Sequence, residues 1–523
     1  MKTNLNISER LHRWSTQILT LIFFGSISWA VAQAPIIELQ KSLGGSSNDF
    51  ARGVIQASDG NYVIAGGSSS NNGNVTGNHG SSDFWVVKMN PSGVVIWQKS
   101  LGGPGFDFAK DIKQTSDGGY ILTGIASGNG GDVTGNHGLW DVWVVKLNAN
   151  GILQWQKSLG GSANDGGSSV EQTSDGGYIV AAYSESSDGD VSDAIDYIDY
   201  WVVKLSASGA LQWEKSFGGS EIDYATSIAL ALDGGYIVSG FSDSTNGHVT
   251  GNHGAEDFWV IKIAANGDLQ WQSTYGGSSQ DVSNNVLPTQ DGGYIISGFT
   301  SSNNGDVSGN NGNSDFWLVK TNSTGAIEWQ KTLGGSSSEF AYALQKVNNG
   351  YVVAGGSSSS NGDVTENKGS EDFWVARVNS IGELQWQKSM GGNDDDEAHA
   401  INSTNDGGFV VAGFSYSNNG DVTGNHGSND MWVVKLSQDP LAIVDFQFQE
   451  IVLYPNPVSE VLYIEAQQDI ENISVFNLLG QELLKQSVNG LQSTIDMSGL
   501  SGGIYLIQIS SSQGAQTYKI QKR

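Results

Sequence analysis

Carboxylates are the side chains in this sequence whose type and spacing could do chemistry. A Gly-Gly-x-x-x-acid segment recurs seven times and ends at Asp49, Asp107, Asp165, Asp223, Asp281, Glu339 and Asp396. A second loop, Asp-Val-Thr-Gly-Asn-His-Gly in its fullest form, contributes Asp132, Asp306 and Asp421. A further acid recurs at Asp83, Asp141, Asp199, Asp257, Asp315, Asp372 and Asp430. Gathered on one face, such oxygens suit a hard cation, so calcium is the cofactor this set would hold, or else a cationic or hydroxyl-rich ligand. The same residues also read as turn caps, each Asp accepting backbone N–H groups of its own loop, and that reading is favoured because every repeat needs the same turn.

Other chemistries find less support. The loop histidines His79, His137, His253 and His426 have no Cys, His or Glu partner at metal-ligand spacing, which argues against zinc. No Gly-x-Ser-x-Gly nucleophile elbow, His-Glu-x-x-His helix or phosphate-binding loop is read from the sequence. Catalysis would need an asymmetric acid or nucleophile rather than seven copies of one loop. Two segments break the pattern, Asp190-Val-Ser-Asp-Ala-Ile-Asp-Tyr-Ile-Asp199 and Asn393-Asp-Asp-Asp-Glu-Ala-His399, and a unique site is expected at one of them if anywhere.

Composition narrows the partners. The net charge of −29, from 25 basic and 54 acidic residues, disfavours nucleic acid as a partner. Zero cysteine removes disulfides, thiolate metal sites and cysteine nucleophiles. The 71 glycines alone would suggest low complexity, but 16 Trp, 17 Tyr and 18 Phe are too many aromatics for a disordered chain.

The elements that must position these acids are read from the repeat. Phe-Trp-Val-Val-Lys and its variants place Trp at 85, 143, 201, 259, 317, 374 and 432, a spacing of 58 residues broken once by 57. A second Trp series stands at 97, 155, 213, 271, 329 and 386, and an Asp-Gly-Gly-Tyr series runs in the same phase. Each unit reads as four short strands, the third apolar at consecutive positions and therefore covered on both faces. Stacked four-stranded sheets at this spacing predict an all-β, seven-bladed β-propeller over 36–437. Its ring is closed by the strand 36–43, which carries the fourth-strand motif ahead of the first unit. The thirteen phased Trp residues are expected to be core, and the cations after the third strand (Lys88, Lys146, Lys204, Lys262, Lys320, Arg377 and Lys435) to pair with recurring acids.

The two ends have other tasks. Residues 1–32 combine Lys2, Arg10 and Arg13 with an apolar run and an Ala30-x-Ala32 cleavage signal, the pattern of a secretory signal peptide. Its removal would leave a mature chain without a transmembrane segment. After a linker at 438–450, residues 451–523 read as short alternating strands of a small Ig-like β-sandwich. This segment holds Tyr454-Pro455-Asn456-Pro457, Phe476-Asn-Leu-Leu-Gly480-Gln, Asp496-Met-Ser-Gly-Leu-Ser-Gly-Gly503-Ile-Tyr505 and a terminal Lys519-Ile-Gln-Lys. It resembles the type A sorting domain of the type IX secretion system of Bacteroidota. The repeats are likewise similar to Asp-Gly-Gly-Tyr repeats of large secreted proteins in those bacteria. The resemblance implies export to the periplasm, passage across the outer membrane by the type IX machinery, and a secreted or surface-attached product.

The expectation for function is a binding or adhesion module for a glycan or protein, acting through the face where the long loops between second and third strands meet the loops between blades. The alternatives are a polysaccharide-degrading enzyme on the same scaffold, or a passive surface-coat protein.

Overall fold

The computed structural model describes residues 33–441, 451–477, 481–511 and 514–523. The signal segment with Ala30 and Ala32, the connector 442–450 and Gly480 lie outside the described residues. All regular structure among the described residues is β. No helix among them is long and apolar enough to cross a membrane, a statement that does not extend to β-barrels.

In blade 1 the strands are Asp49–Gln56, Tyr62–Ser68, Asp83–Met89 and Val95–Leu101, antiparallel and hydrogen-bonded in that order. Five further blades repeat this sheet, with first strands starting at Phe108, Asp165, Asp223, Asp281 and Glu339. The seventh combines Asp396–Ser403, Phe409–Ser415 and Asp430–Leu436 with the N-terminal strand Ile37–Leu43, whose Leu43 pairs with Met431 and Ile37 with Leu436. The two ends of the propeller thus share one sheet and close the ring.

Blade-to-blade packing follows from the third strand. Trp85, Trp143, Trp201, Trp259, Trp317, Trp374 and Trp432 are fully buried. In several blades the aromatic before one Trp meets the Trp of the next blade, as with Phe84 on Trp143 (4.6 Å between ring centroids) and Phe258 on Trp317 (4.5 Å). Burying one such side chain contributes at most about 4–6 kcal/mol at roughly 25 cal/mol per Å². Each indole N–H is satisfied within the blade: Trp85 donates to Gln98 at 2.9 Å, and Trp432 to Gln40 of the closing strand at 3.0 Å.

The second Trp series departs from the expected core. Trp97, Trp155, Trp213, Trp271 and Trp329 are only half-buried, because they stand on the outermost strand of each blade. They lie instead on a turn glycine of the next blade. A Cβ at Gly151 would come 2.9 Å from Trp97, and Gly151 also has φ of +72°, so both the contact and the backbone require glycine. Trp386 alone is fully buried, for a reason given below.

The cations after the third strand pair as expected. Lys88, Lys146, Lys204, Lys262, Lys320 and Lys435 reach the turn acids Asp59, Asp117, Asp175, Asp233, Asp291 and Asp406 at 2.6–3.0 Å. Blade 6 has Asn348-Asn349 where the other blades have that acid. Asp439, which the sequence puts in the linker, takes its place. Its carboxylate accepts from Arg377 Nε at 2.6 Å and from Trp386 Nε1 at 3.0 Å, which seals Trp386 from solvent.

The C-terminal unit has strands Val452–Tyr454, Val461–Phe476, Glu482–Asp496, Gly503–Ser511 and Gly514–Lys522. They wrap a core that includes Val458, Leu462, Ile473, Ile495, Ile507 and Ile520, the sandwich-like arrangement expected. Tyr454 stacks on Tyr463 and donates to Glu465 at 2.7 Å, and Asn456 accepts from Gln521 N at 3.0 Å. Tyr505 is buried and donates to the Ser501 carbonyl, while Gly503 and Lys519 lie on the paired last two strands.

Candidate functional site

The acids expected to line the loop face are buried beneath it. Asp49, Asp107, Asp165, Asp223, Asp281, Glu339 and Asp396 are fully buried, and each accepts the backbone N–H of the glycine four residues earlier at 2.7–2.8 Å. Most also accept from serine or threonine of their own blade, as Asp49 does from Ser68 and Ser70. Asp132, Asp306 and Asp421 accept the amides of Gly102, Gly276 and Gly391 at 3.2–3.4 Å. These carboxylates hold the inter-blade loop against the long loop, because hydrogen bonding satisfies amides that no strand can reach.

The third-strand acids serve the long loop. Asp83 takes the His79 N–H at 3.0 Å and its Nδ1 at 2.6 Å, and His137, His253 and His426 pair in the same way with Asp141, Asp257 and Asp430. The other oxygen, Oδ1, of all seven third-strand acids is buried without a hydrogen-bond partner. At the closing interface Asp430 Oδ1 and Asp49 Oδ2 both lie within 2.6 Å of where a Cβ of Gly44 would stand, so only glycine fits between them. Burial first, and the neighbouring acid after it, push Asp107, Asp199, Asp257 and Asp372 up to about 6 and Asp315 to about 7, against opposing hydrogen bonds. Among the described residues no group of three or more His, Asp or Glu is placed to hold a metal.

The concavity lies elsewhere, along the central axis. The first strand of each blade faces a channel with a cavity of about 580 Å³. In every blade this strand carries a β-bulge at one position, at Arg52, Lys110, Ser168, Thr226, Asn284, Tyr342 and His399. A bulged residue is left out of the ladder and re-aimed, and all seven line the cavity. The lining runs from Phe108, Tyr224 and Phe241 at the loop end to Lys113, Glu171 and Asn402 toward the turns between first and second strands. Sequence reasoning missed this ring. Its signal is a column three residues after each inter-blade acid that never repeats, in a frame that otherwise does.

One side of the ring is charged. Arg52 Nη1 lies 2.6 and 2.7 Å from the two ring nitrogens of His399, and His399 stands 3.3 Å from Glu397. Tyr342 packs on the His399 ring at 4.4 Å. Burial, then the Arg52 charge, push His399 down to about 4, so it is neutral near pH 7. Lys110 donates to Tyr224 OH at 2.8 Å, and burial followed by Arg52 brings it down to about 8. Deeper in the channel Lys113 and Glu171 pair at 2.9 Å. Of the two segments expected to break the pattern, the last inter-blade one therefore reaches the channel through His399, with Glu397 beside that ring. The blade-three loop does not: Tyr197 and Ile195 are exposed, and Asp199 caps Ile195 N at 2.7 Å.

Glu371 was also unforeseen. It lies over Gly356, its Oε1 buried without a partner, and burial, then Glu397, raise it to about 8. Glu397 is held below its ordinary value, burial being outweighed by His399, Tyr342 and Arg52.

Residues 452–523 match the family described as the secretion system C-terminal sorting domain. The chain is thus a seven-bladed propeller with a type IX sorting tail, which marks it for export to the cell surface or secretion and implies an encounter with that machinery. Over 188 residues the chain is 28% identical to the regulatory protein FlaEY of Caulobacter vibrioides, covering 34% of this chain and 20% of the relative. It spans about a fifth of that protein's length. Two solved structures are similar at low scores. A protein of unknown function from Bacteroides caccae is 14% identical with a TM-score of 0.36, covering 58% of this chain and 89% of that one. PorZ, a surface component of the type IX secretion system of Porphyromonas gingivalis, is 9% identical with a TM-score of 0.33, covering 89% and 64%. Likenesses this slight do not bear on function.

Proposed function

We propose that the chain is an exported binding module and that its glycan or protein ligand enters the central channel. The observation that carries this is the bulge ring. A packing role is met by the same residue seven times, as the Trp, Asp and Gly positions are, whereas the one position aimed at the cavity differs in every blade. The cavity volume falls within the roughly 300–1,000 Å³ of small-molecule sites. A glycan array probed with and without EDTA tests the reading. Binding that persists in EDTA and is lost in Asn284→Ala and Tyr342→Ala supports it, and binding indifferent to both substitutions removes the channel from the function.

A second reading, hydrolysis of a polysaccharide, is favoured by Glu371 and Glu397. Two carboxyl groups whose surroundings push their protonation apart form an acid/base pair in principle. Product release from polysaccharides that vanishes in Glu371→Gln supports that reading, and no release by the parent chain excludes it for the substrates tried.

A further inference from the structure

The charges at the bulge ring point to a class of ligand. Arg52 and Lys110 come from adjacent blades, and among the described residues neither has a carboxylate within 4 Å, although the chain carries 54 acidic residues. The rings that touch them are uncharged near pH 7. Arg52 stands 5.4 Å over Phe50 and against His399. Lys110 lies 5.3 and 5.7 Å from the Tyr224 and Tyr183 rings. Glu397, the one acid acting on Arg52, is engaged by His399. Two half-buried cations from adjacent blades repel one another, and an anion placed between them would offset that cost through charge-assisted hydrogen bonds.

The opposite wall is different. Thr226 Oγ1 donates to the Ser283 carbonyl at 2.8 Å, and Asn284 Nδ2 donates to the Ala341 carbonyl at 2.8 Å. The Thr226 hydroxyl proton and one Asn284 amide proton are directed to the backbone, which leaves the Thr226 and Asn284 oxygens to accept from a ligand and one Asn284 N–H to donate to it. A molecule with an anionic end and a hydroxyl-bearing body matches both walls.

We infer that the channel binds a sugar acid, its carboxylate between Arg52 and Lys110 and its hydroxyls toward Thr226 and Asn284. The inference rests on the channel being the binding site. Calorimetric titration of the mature chain with glucuronate, galacturonate and glucose tests it. At least one acidic sugar is expected to bind ten-fold or more tightly than glucose. Lys110→Met is expected to weaken that binding about ten-fold and glucose binding by clearly less, and Asn284→Ala to weaken both. Because Lys110→Met deletes a charge that burial disfavours, the variant should melt no lower than the parent. A pH series adds an independent readout. Arg52 acts on Lys110, and Tyr183 and Tyr224 lie against it; both tyrosines are held above their ordinary value by burial, and Lys110 is the group that discharges above about 8. Acidic-sugar binding should therefore weaken between pH 7 and 9 in the parent but not in Lys110→Met. Equal affinity for acid and neutral sugar, with no response to Lys110→Met, overturns the inference while Asn284→Ala still reports on the channel. Failure of both acidic sugars to bind at millimolar concentration also overturns it. Binding of any sugar that ignores both substitutions overturns the channel reading as well.

Discussion

At the scale of single residues, repeated side chains hold the frame and unrepeated ones carry individuality. Trp259 is fully buried between blades, and Trp259→Ala should cost about 3–5 kcal/mol, read as a lower midpoint in urea unfolding. Asp439 and Arg377 form a buried ion pair with 2% and 3% of their side chains exposed, so Asp439→Ala strands a cation and should cost about 3–5 kcal/mol. Asp59 is half exposed opposite Lys88, and its replacement by Ala should cost clearly less in the same measurement. The Trp and Lys positions were legible in the sequence because a period of 58 residues names them seven times. Asp439 was not, since its partner is recognised only when the acid absent from the blade 6 turn is noticed. Glu371 was hidden for a similar reason: it sits beside a repeated Asp, and only Gly356 reveals where its carboxyl goes.

At the scale of elements, the inter-blade loops and the bulged first strands divide the labour. The loops were read correctly as Gly- and Asp-built turns, but spacing cannot tell an acid on a surface from one buried below it. The buried acids make stability depend on pH with a definite sign. Asp107, Asp199, Asp257 and Asp372 move from near 3.8 up to about 6 on folding, so in that window the folded chain binds more protons than the unfolded one. Stability therefore falls as pH rises through the window. Asp117 and Asp175 act oppositely. Hydrogen bonds, first from Thr115 and Thr173, hold them down to about 2, and their contribution is lost as pH falls below 4. The melting temperature should peak between pH 4 and 5 and be several degrees lower at pH 8, measurable by scanning calorimetry across a buffer series. The bulges were illegible because a bulge leaves no composition signal. The changing residue at that position looks like drift until the backbone turns it toward the axis.

At the scale of the whole molecule, ring closure and sorting belong to different ends of the chain. Because Ile37–Leu43 completes the seventh sheet and supplies Gln40 to Trp432, removal of residues 33–43 should broaden and lower the unfolding transition seen by circular dichroism. The tail was legible from its motifs, and the match over residues 452–523 bears that out. A chain lacking those residues should accumulate inside the cell, as read by fractionation and immunoblot. The ring itself was legible from three motifs in one phase, but its axis was not, since each blade contributes only one side chain to each level there. The central claim is that the ligand occupies this axis. Array binding by a Ser168→Trp chain tests it most directly, because an indole at that bulge occupies ligand space in the channel and leaves the loop face as it is. The account predicts that the parent's array signal disappears while the melting transition is retained. An unchanged signal from the plugged ring would contradict it.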